Sequence, residues 1–252
     1  MFGVLFSFFG SRCKKKVKKE NRELDLTGAI VRGNLKEKNI HLMFSGHKYA
    51  DGGTHILQVL KQENIKASFF FTGDFYRNKE FHALISDLKK DGHYLGAHSN
   101  KHLLYNDWTA DKKLLVTESE FNEDLKLNYA EMKKFGINKT DANYYLPPYE
   151  WNDSTITSWT KKNILSLINF TKGTLSQADY TTPKDKNYKS TETIYKSILD
   201  YESEESLHGF LLLSHIGTHP DRTDKFYLEL ENLIKTLKLK GYQFVSLNTM
   251  LD

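Results

Sequence analysis

Apolar residues recur along this chain in two alternating rhythms. Short apolar runs predict strands at residues 39–45 (NIHLMFS), 66–72 (KASFFFT), 94–97, 144–146, 165–170, 209–214 (GFLLLS) and 243–247. Between them, apolar side chains three or four apart predict helices. These fall at residues 54–63 (Ile56, Leu57, Leu60), 78–90 (Phe81, Leu84, Ile85, Leu88) and 118–135 (Phe121, Leu125, Tyr129, Met132), then at 154–162, 191–201 and 226–240. Gly92 closes the second helix, a common position for glycine. Strands alternating with helices imply an α/β fold with a mostly parallel sheet. About seven such units favour a distorted (β/α) barrel over an open sheet. In such barrels the reactive groups lie at the carboxyl ends of the strands.

Composition narrows this picture only at the N-terminus. Hydrophobic residues make up 39% of 252, enough for one large core, so residues 37–252 are expected to form one barrel domain. The net charge of +4 owes much to the single run Lys14-Lys15-Lys16-Val17-Lys18-Lys19. No broad basic footprint remains, so nucleic acid is not an expected partner. Residues 1–36 read as a targeting segment and linker. MFGVLFSFFG is too short to span a bilayer but resembles the apolar core of a secretory signal, without the positive region before it. Cys13, the one cysteine, suggests a lipoprotein acylation site, although Arg12 is a poor residue before it. The expectation is export to a bacterial cell envelope or periplasm, with membrane attachment through that segment. A lone cysteine also leaves His, Asp and Glu as the available metal ligands.

Several reactive groups fall just after predicted strands: His47, the pair His98 and His102, Tyr149 and His215. A barrel would bring them to one rim. Two histidines four apart can face one way in a helical turn and reach one metal ion. HxxxH alone is a weak signal; its place after a strand, with His47 nearby, strengthens it.

The segment Gly92-His93-Tyr94-Leu95-Gly96-Ala97-His98-Ser99-Asn100-Lys101-His102 resembles the second motif of the NodB-type polysaccharide deacetylases. Ile65-Lys66-Ala67-Ser68-Phe69-Phe70-Phe71-Thr72-Gly73 resembles the strand after their first helix. The resemblance runs from about residue 39 to 247. It implies a distorted α/β barrel that removes acetyl groups from N- or O-acetylated sugars with a divalent metal, zinc first, with cobalt, nickel or manganese as alternatives. His98 and His102 match the family's two metal-binding histidines. The first motif, Thr-Phe-Asp-Asp-Gly, is altered. Counting back from Thr54 places its second, metal-binding Asp on His47 and its first, the general base, on Gly46; counting forward from Phe44 gives Ser45 and Gly46. Either way the base is missing. The third motif keeps Pro147-Pro148-Tyr149 but has Leu146 where the family has Arg. Asn169-Phe170 is matched to the fourth motif, a Trp-containing patch, and Leu213-Ser214-His215 to the fifth.

The resemblance implies that His47, His98 and His102 hold the metal and that His215 protonates the leaving group. It also implies that the Tyr149 N–H helps hold the oxyanion, with Trp151 and Leu213 beside an acetylated oligo- or polysaccharide. Asp51, in the loop that carries His47, is the expected replacement base, although a turn carboxylate before Gly52 and Gly53 reads equally well. Glu150 is the second candidate, read first as a solvated loop charge. Trp108, Trp151 and Tyr105 either stack on sugar or pack the rim; Asp179 reads as a loop or cap residue, and His219 as a surface turn. Two alternatives stand beside the hydrolase: a degenerate barrel that binds metal and glycan without turnover, and another metal-dependent amidohydrolase.

Overall fold

The longest strand, β3 (Asn39–Gly46), is buried along almost its whole length, and the sheet is built outward from it. The computed structural model describes residues 22–251. In it β3 has parallel neighbours on both sides, β4 (Ser68–Phe71) and β8 (Phe210–His215). Beyond β4 the sheet runs through β5 (Tyr94–Ala97), β6 (Tyr144–Tyr145) and β7 (Ser166–Leu167), all parallel. A short β9 (Gln243–Phe244) joins the start of β3. These are the seven parallel strands that the alternation predicts. The sheet curls as a half-barrel with flanking helices, and one parallel bridge between Ile30 and Ile168 joins its far edges.

That bridge corrects the expected domain boundary. Residues 22–36, expected as linker, contain β1 (Glu23–Leu24) and β2 (Ile30–Arg32), and β2 pairs antiparallel with β8. Ala29 and Ile30 are buried, and the Arg32 guanidinium donates to the carbonyls of His208 (2.8 Å) and Ser206 (2.9 Å). A polar segment hid this role, because its few apolar residues show no period. The signal-like run, the lysines and Cys13 lie outside the described residues. Among the described residues, no helix is long and apolar enough to cross a membrane.

The helices are α1 (Gly53–Gln62), α2 (Gly73–Arg77), α3 (His82–Lys90), α4 (Glu118–Lys134), α5 (Ser154–Lys162), α6 (Thr191–Glu205), α7 (Leu230–Leu239) and α8 (Leu247–Leu251). Several expected element ends shift. The helix expected over 78–90 begins as a 3₁₀ turn, Lys79–Phe81, because the Asn78 side chain caps it by accepting from the Glu80 N–H. The strand expected over 243–247 stops at Phe244. Leu247 instead opens α8, which buries Leu247 and Met250 in the barrel floor.

Strand alternation divides the core in two. Phe44, Phe69 and Phe71 face the helices, while Met43, Phe70, Leu211 and Leu213 fill the interior. His41 is a buried polar exception on β3. Its Nδ1 donates to the Val245 carbonyl (2.8 Å), and its Nε2 accepts from the Ser68 hydroxyl (2.7 Å). Burial pushes its pKa down to about 4, with the Val245 bond acting weakly the other way. The unfolded chain therefore binds this proton first as pH falls through 6.5, so stability is lost between about pH 6.5 and 4. The His41 contribution should amount to about 2 kcal/mol by pH 5. Urea denaturation at pH 7.5 and 5 should show a smaller loss in His41→Asn than in the wild type; an equal loss would contradict this account.

Candidate active site

A cavity of about 410 Å³ opens at the carboxyl ends of the strands. Its walls carry His47, His98, His102, Tyr149, Glu150 and His215. The structure thus brings together the five rim groups expected from strand ends, and adds Glu150.

The two histidines of the second motif do not sit on a helical turn, as their spacing suggested. Ser99 (φ 69°) and His102 (φ 56°) both adopt the left-handed conformation, so the loop doubles back on itself. Its anchor is Asp124 on α4. One carboxylate oxygen accepts from the Ser99 hydroxyl and the Asn100 N–H, both at 2.7 Å, and the other from the Lys101 N–H at 3.0 Å. Asn128, one turn along, accepts from the His98 N–H at 3.0 Å. Neither residue was singled out from sequence. The available signal was two polar side chains on the apolar stripe of α4, beside Phe121, Leu125, Tyr129 and Met132.

The imidazoles of His47 and His102 stack with ring centroids 4.8 Å apart, and those of His98 and His102 meet edge to face at 5.0 Å. His98 Nδ1 donates to the Leu146 carbonyl (2.9 Å), which leaves Nε2 as a lone-pair donor. His47 Nδ1 bonds the Thr72 hydroxyl (3.1 Å). Burial, reinforced by the neighbouring imidazoles, lowers His98 to about 3 and His102 to about 2; burial also lowers His47. All three are therefore neutral at pH 7, the state in which histidine binds a metal. The donor set suits a borderline divalent ion in kind. Among the described residues, however, no three His, Cys, Asp or Glu side chains already converge as a metal cage.

Across the cavity, His215 Nδ1 donates to Asp179 Oδ1 at 2.6 Å, while the His215 backbone N–H donates to Oδ2 at 2.9 Å. Burial disfavours the imidazolium, but the carboxylates of Asp179 and Glu150 outweigh it and raise the His215 pKa. Asp179 is thus a partner of a site histidine and no mere cap. Asn169, expected in the fourth motif, instead braces a loop, donating from Nδ2 to the Glu150 carbonyl at 2.8 Å. The aromatic Tyr180 after Asp179 lines the cavity and packs on the His215 ring at 5.2 Å; an Asp-aromatic pair in the loop before α6 was the signal to follow.

The sequence profile of the polysaccharide deacetylases matches residues 32–167. The chain belongs to the polysaccharide deacetylase family. Among its relatives is the peptidoglycan-N-acetylmuramic acid deacetylase of Bacillus subtilis, 26% identical over 93% of this chain and 79% of that protein. Another is a peptidoglycan-N-acetylglucosamine deacetylase of Bacillus cereus, 24% identical over 86% of this chain and 70% of that protein. In three dimensions this deacetylase-family chain resembles a CE4-family pseudoenzyme of Bacillus anthracis, with a TM-score of 0.70 at 17% identity, covering 89% of this chain and 69% of the other.

Against the family pattern, three expected roles move. Asp51 lies outside the cavity wall. It accepts from the Thr218 N–H (2.7 Å) and the Tyr227 hydroxyl (3.0 Å) and pairs with Lys225 (2.8 Å). Burial alone would raise its pKa, but these three partners hold it below the usual carboxylate range. It is a strut between the loops after β3 and β8, too well satisfied to accept another proton. Leu213 is fully buried in the interior core and does not line the cavity. Trp151 also leaves the cavity wall: its indole N–H donates to the Asp107 carbonyl, and its ring braces Trp108 at 5.7 Å. Trp108, 61% exposed, is the tryptophan at the cavity mouth, whereas Tyr105 is buried against Tyr145.

The end of β3 explains why no strand carboxylate fills the base position. Ser45 faces the cavity, whereas a Cβ on Gly46 would meet Ile216, Phe71 and Phe75 at 2.8–2.9 Å. Gly46→Asp should therefore lower stability by about 1–3 kcal/mol. Thermal unfolding tests this, and an unchanged Tm would show that the packing yields. Asp179→Asn removes the charge that raises His215, so the His215 pKa should fall in an NMR titration of its ring protons. An unchanged value would assign the shift to other groups.

Proposed function

We propose that this chain is a metal-dependent hydrolase that removes acetyl groups from an acetylated glycan, with peptidoglycan the first candidate given the activities of its relatives. The observation that supports this best is the opposition, across one cavity, of three neutral imidazoles and the Asp179–His215 pair. His47, His98 and His102 would hold the ion, with zinc the first choice. Such an ion supplies a Lewis acid for the acetyl carbonyl.

The chain's own groups do the rest. With Nδ1 committed to Asp179, protonated His215 presents its Nε2–H to the nitrogen or oxygen that leaves the acetyl group. Tyr149, turned by its left-handed φ of 60°, offers its backbone N–H to the oxyanion. Trp108 and Tyr149, with rings 5.5 Å apart, give the cavity mouth an apolar face of the sort that covers sugar rings. Attachment to a membrane through the first residues, and export, stay proposals with them.

A glycan-binding protein without turnover is the second reading. The absence of a carboxylate at Ser45 and Gly46 favours it, as does the engagement of Asp51 elsewhere. Acetate release from acetylated xylan, chitooligosaccharides and peptidoglycan, with and without chelator, separates the two. The hydrolase reading expects zinc-dependent release from at least one of them, and no release with added zinc from any would sink it. Metal content, measured separately, should fall at least about tenfold in His98→Ala; equal content would remove His98 from the ligand set.

A further inference from the structure

We propose that Glu150 is the general base of this site, in place of the strand carboxylate that the chain lacks. The inference rests on the hydrolase reading above and adds the residue that reading leaves unnamed.

Three observations converge on Glu150. First, it is the acidic residue on the cavity wall: the other candidate, Asp51, is tied to Thr218, Tyr227 and Lys225, and Asp179 is taken up by the backbone N–H and Nδ1 of His215. Second, its carboxylate accepts no hydrogen bond from any described residue, although its backbone is well held. A half-buried carboxylate without a protein donor keeps its lone pairs free to take a proton from water. Third, its backbone is strained. Tyr149 and Glu150 stand consecutively in the left-handed region, at φ 60° and 53°, where a glycine would sit without cost. Asn169 pins the Glu150 carbonyl from one side, and the Glu150 N–H donates to the Pro147 carbonyl.

A second groove, of about 280 Å³, lies behind Glu150 and carries Arg32, Lys112 and Lys172. The charges that act on the Glu150 carboxyl are nevertheless His215 and Asp179, both on the cavity side, and Tyr180 on the cavity wall feels Glu150 in turn. The carboxyl therefore belongs to the active cavity. Burial, opposed by His215 and assisted by Asp179, pushes its pKa up to about 7, a value matched to proton exchange at neutral pH.

The proton balance closes within this pair. The Glu150 carboxylate takes a proton from the water whose oxygen bonds to the acetyl carbon. The bond from that carbon to the sugar nitrogen or oxygen then breaks as His215 gives its proton to the leaving atom. Acetate departs with the free amine or hydroxyl, Glu150 releases its proton to solvent and His215 regains one.

The test compares wild type, Glu150→Gln and Glu150→Ala on whichever acetylated glycan the wild type hydrolyses. Metal content and Tm are measured on each. Both variants should stay folded and metalled, keep KM, and lose about a hundredfold or more in kcat. Added formate should restore part of the kcat of Glu150→Ala, a rescue that a merely structural role would not show. Glu150→Gln with kcat within about threefold of wild type, or a folded Glu150→Ala that formate leaves unchanged, overturns the proposal and leaves the hydrolase reading standing. A wild type that releases no acetate overturns both.

Discussion

The site depends on one buried carboxylate. Asp124 lies under the loop after β5 and accepts three hydrogen bonds from consecutive residues, Ser99, Asn100 and Lys101. These bonds hold a backbone that is unfavourable at Ser99 and His102. Without them, nothing in the loop's own sequence would keep two imidazoles on one wall. The carboxylate comes from α4, whose apolar stripe is locked to the sheet, and Asn128 ties the same helix to the start of the loop. Precision at the cavity is thus borrowed from helix packing, with backbone hydrogen bonds as the transmission.

The two halves of the cavity have opposite electrostatic character. On one side, burial and mutual proximity keep three imidazoles neutral. On the other, carboxylates hold His215 toward its charged form, while desolvation lets Glu150 keep a proton near neutrality. The same residue type therefore does different work on two walls of one cavity, because burial and charge partners decide protonation more than residue identity does.

The parallel strands were legible because each buries a continuous apolar run, and the histidines because strand ends converge in a barrel. What escaped the sequence was governed by contacts between distant residues. Asp179 and His215 are brought together only by the loop before α6, and a single Asp carries no period. Asp124 looked like one polar residue on an amphipathic helix. Asp51 and Glu150 are both loop carboxylates in the sequence, and only their partners separate them: among the described residues the Asp51 carboxylate has three and the Glu150 carboxylate none. The helical turn expected for HxxxH failed because the loop takes its shape from Asp124 rather than from local propensity.

The seam between Ile30 and Ile168, with β2 laid against β8, also bears on how the chain comes to fold. During synthesis β1 and β2, paired with each other, emerge before β3, yet β8 and Ile168, to which β2 docks, are made much later. The curled sheet must grow outward from β3 with the β1–β2 pair undocked until β8 arrives. Closure is then a late, long-range step, of the kind that slows folding and leaves a sheet edge open to wrong partners. A ribosome-bound fragment that stops before β8 would carry the histidine loop but an unfinished pocket without His215, so competence for chemistry must wait for β8.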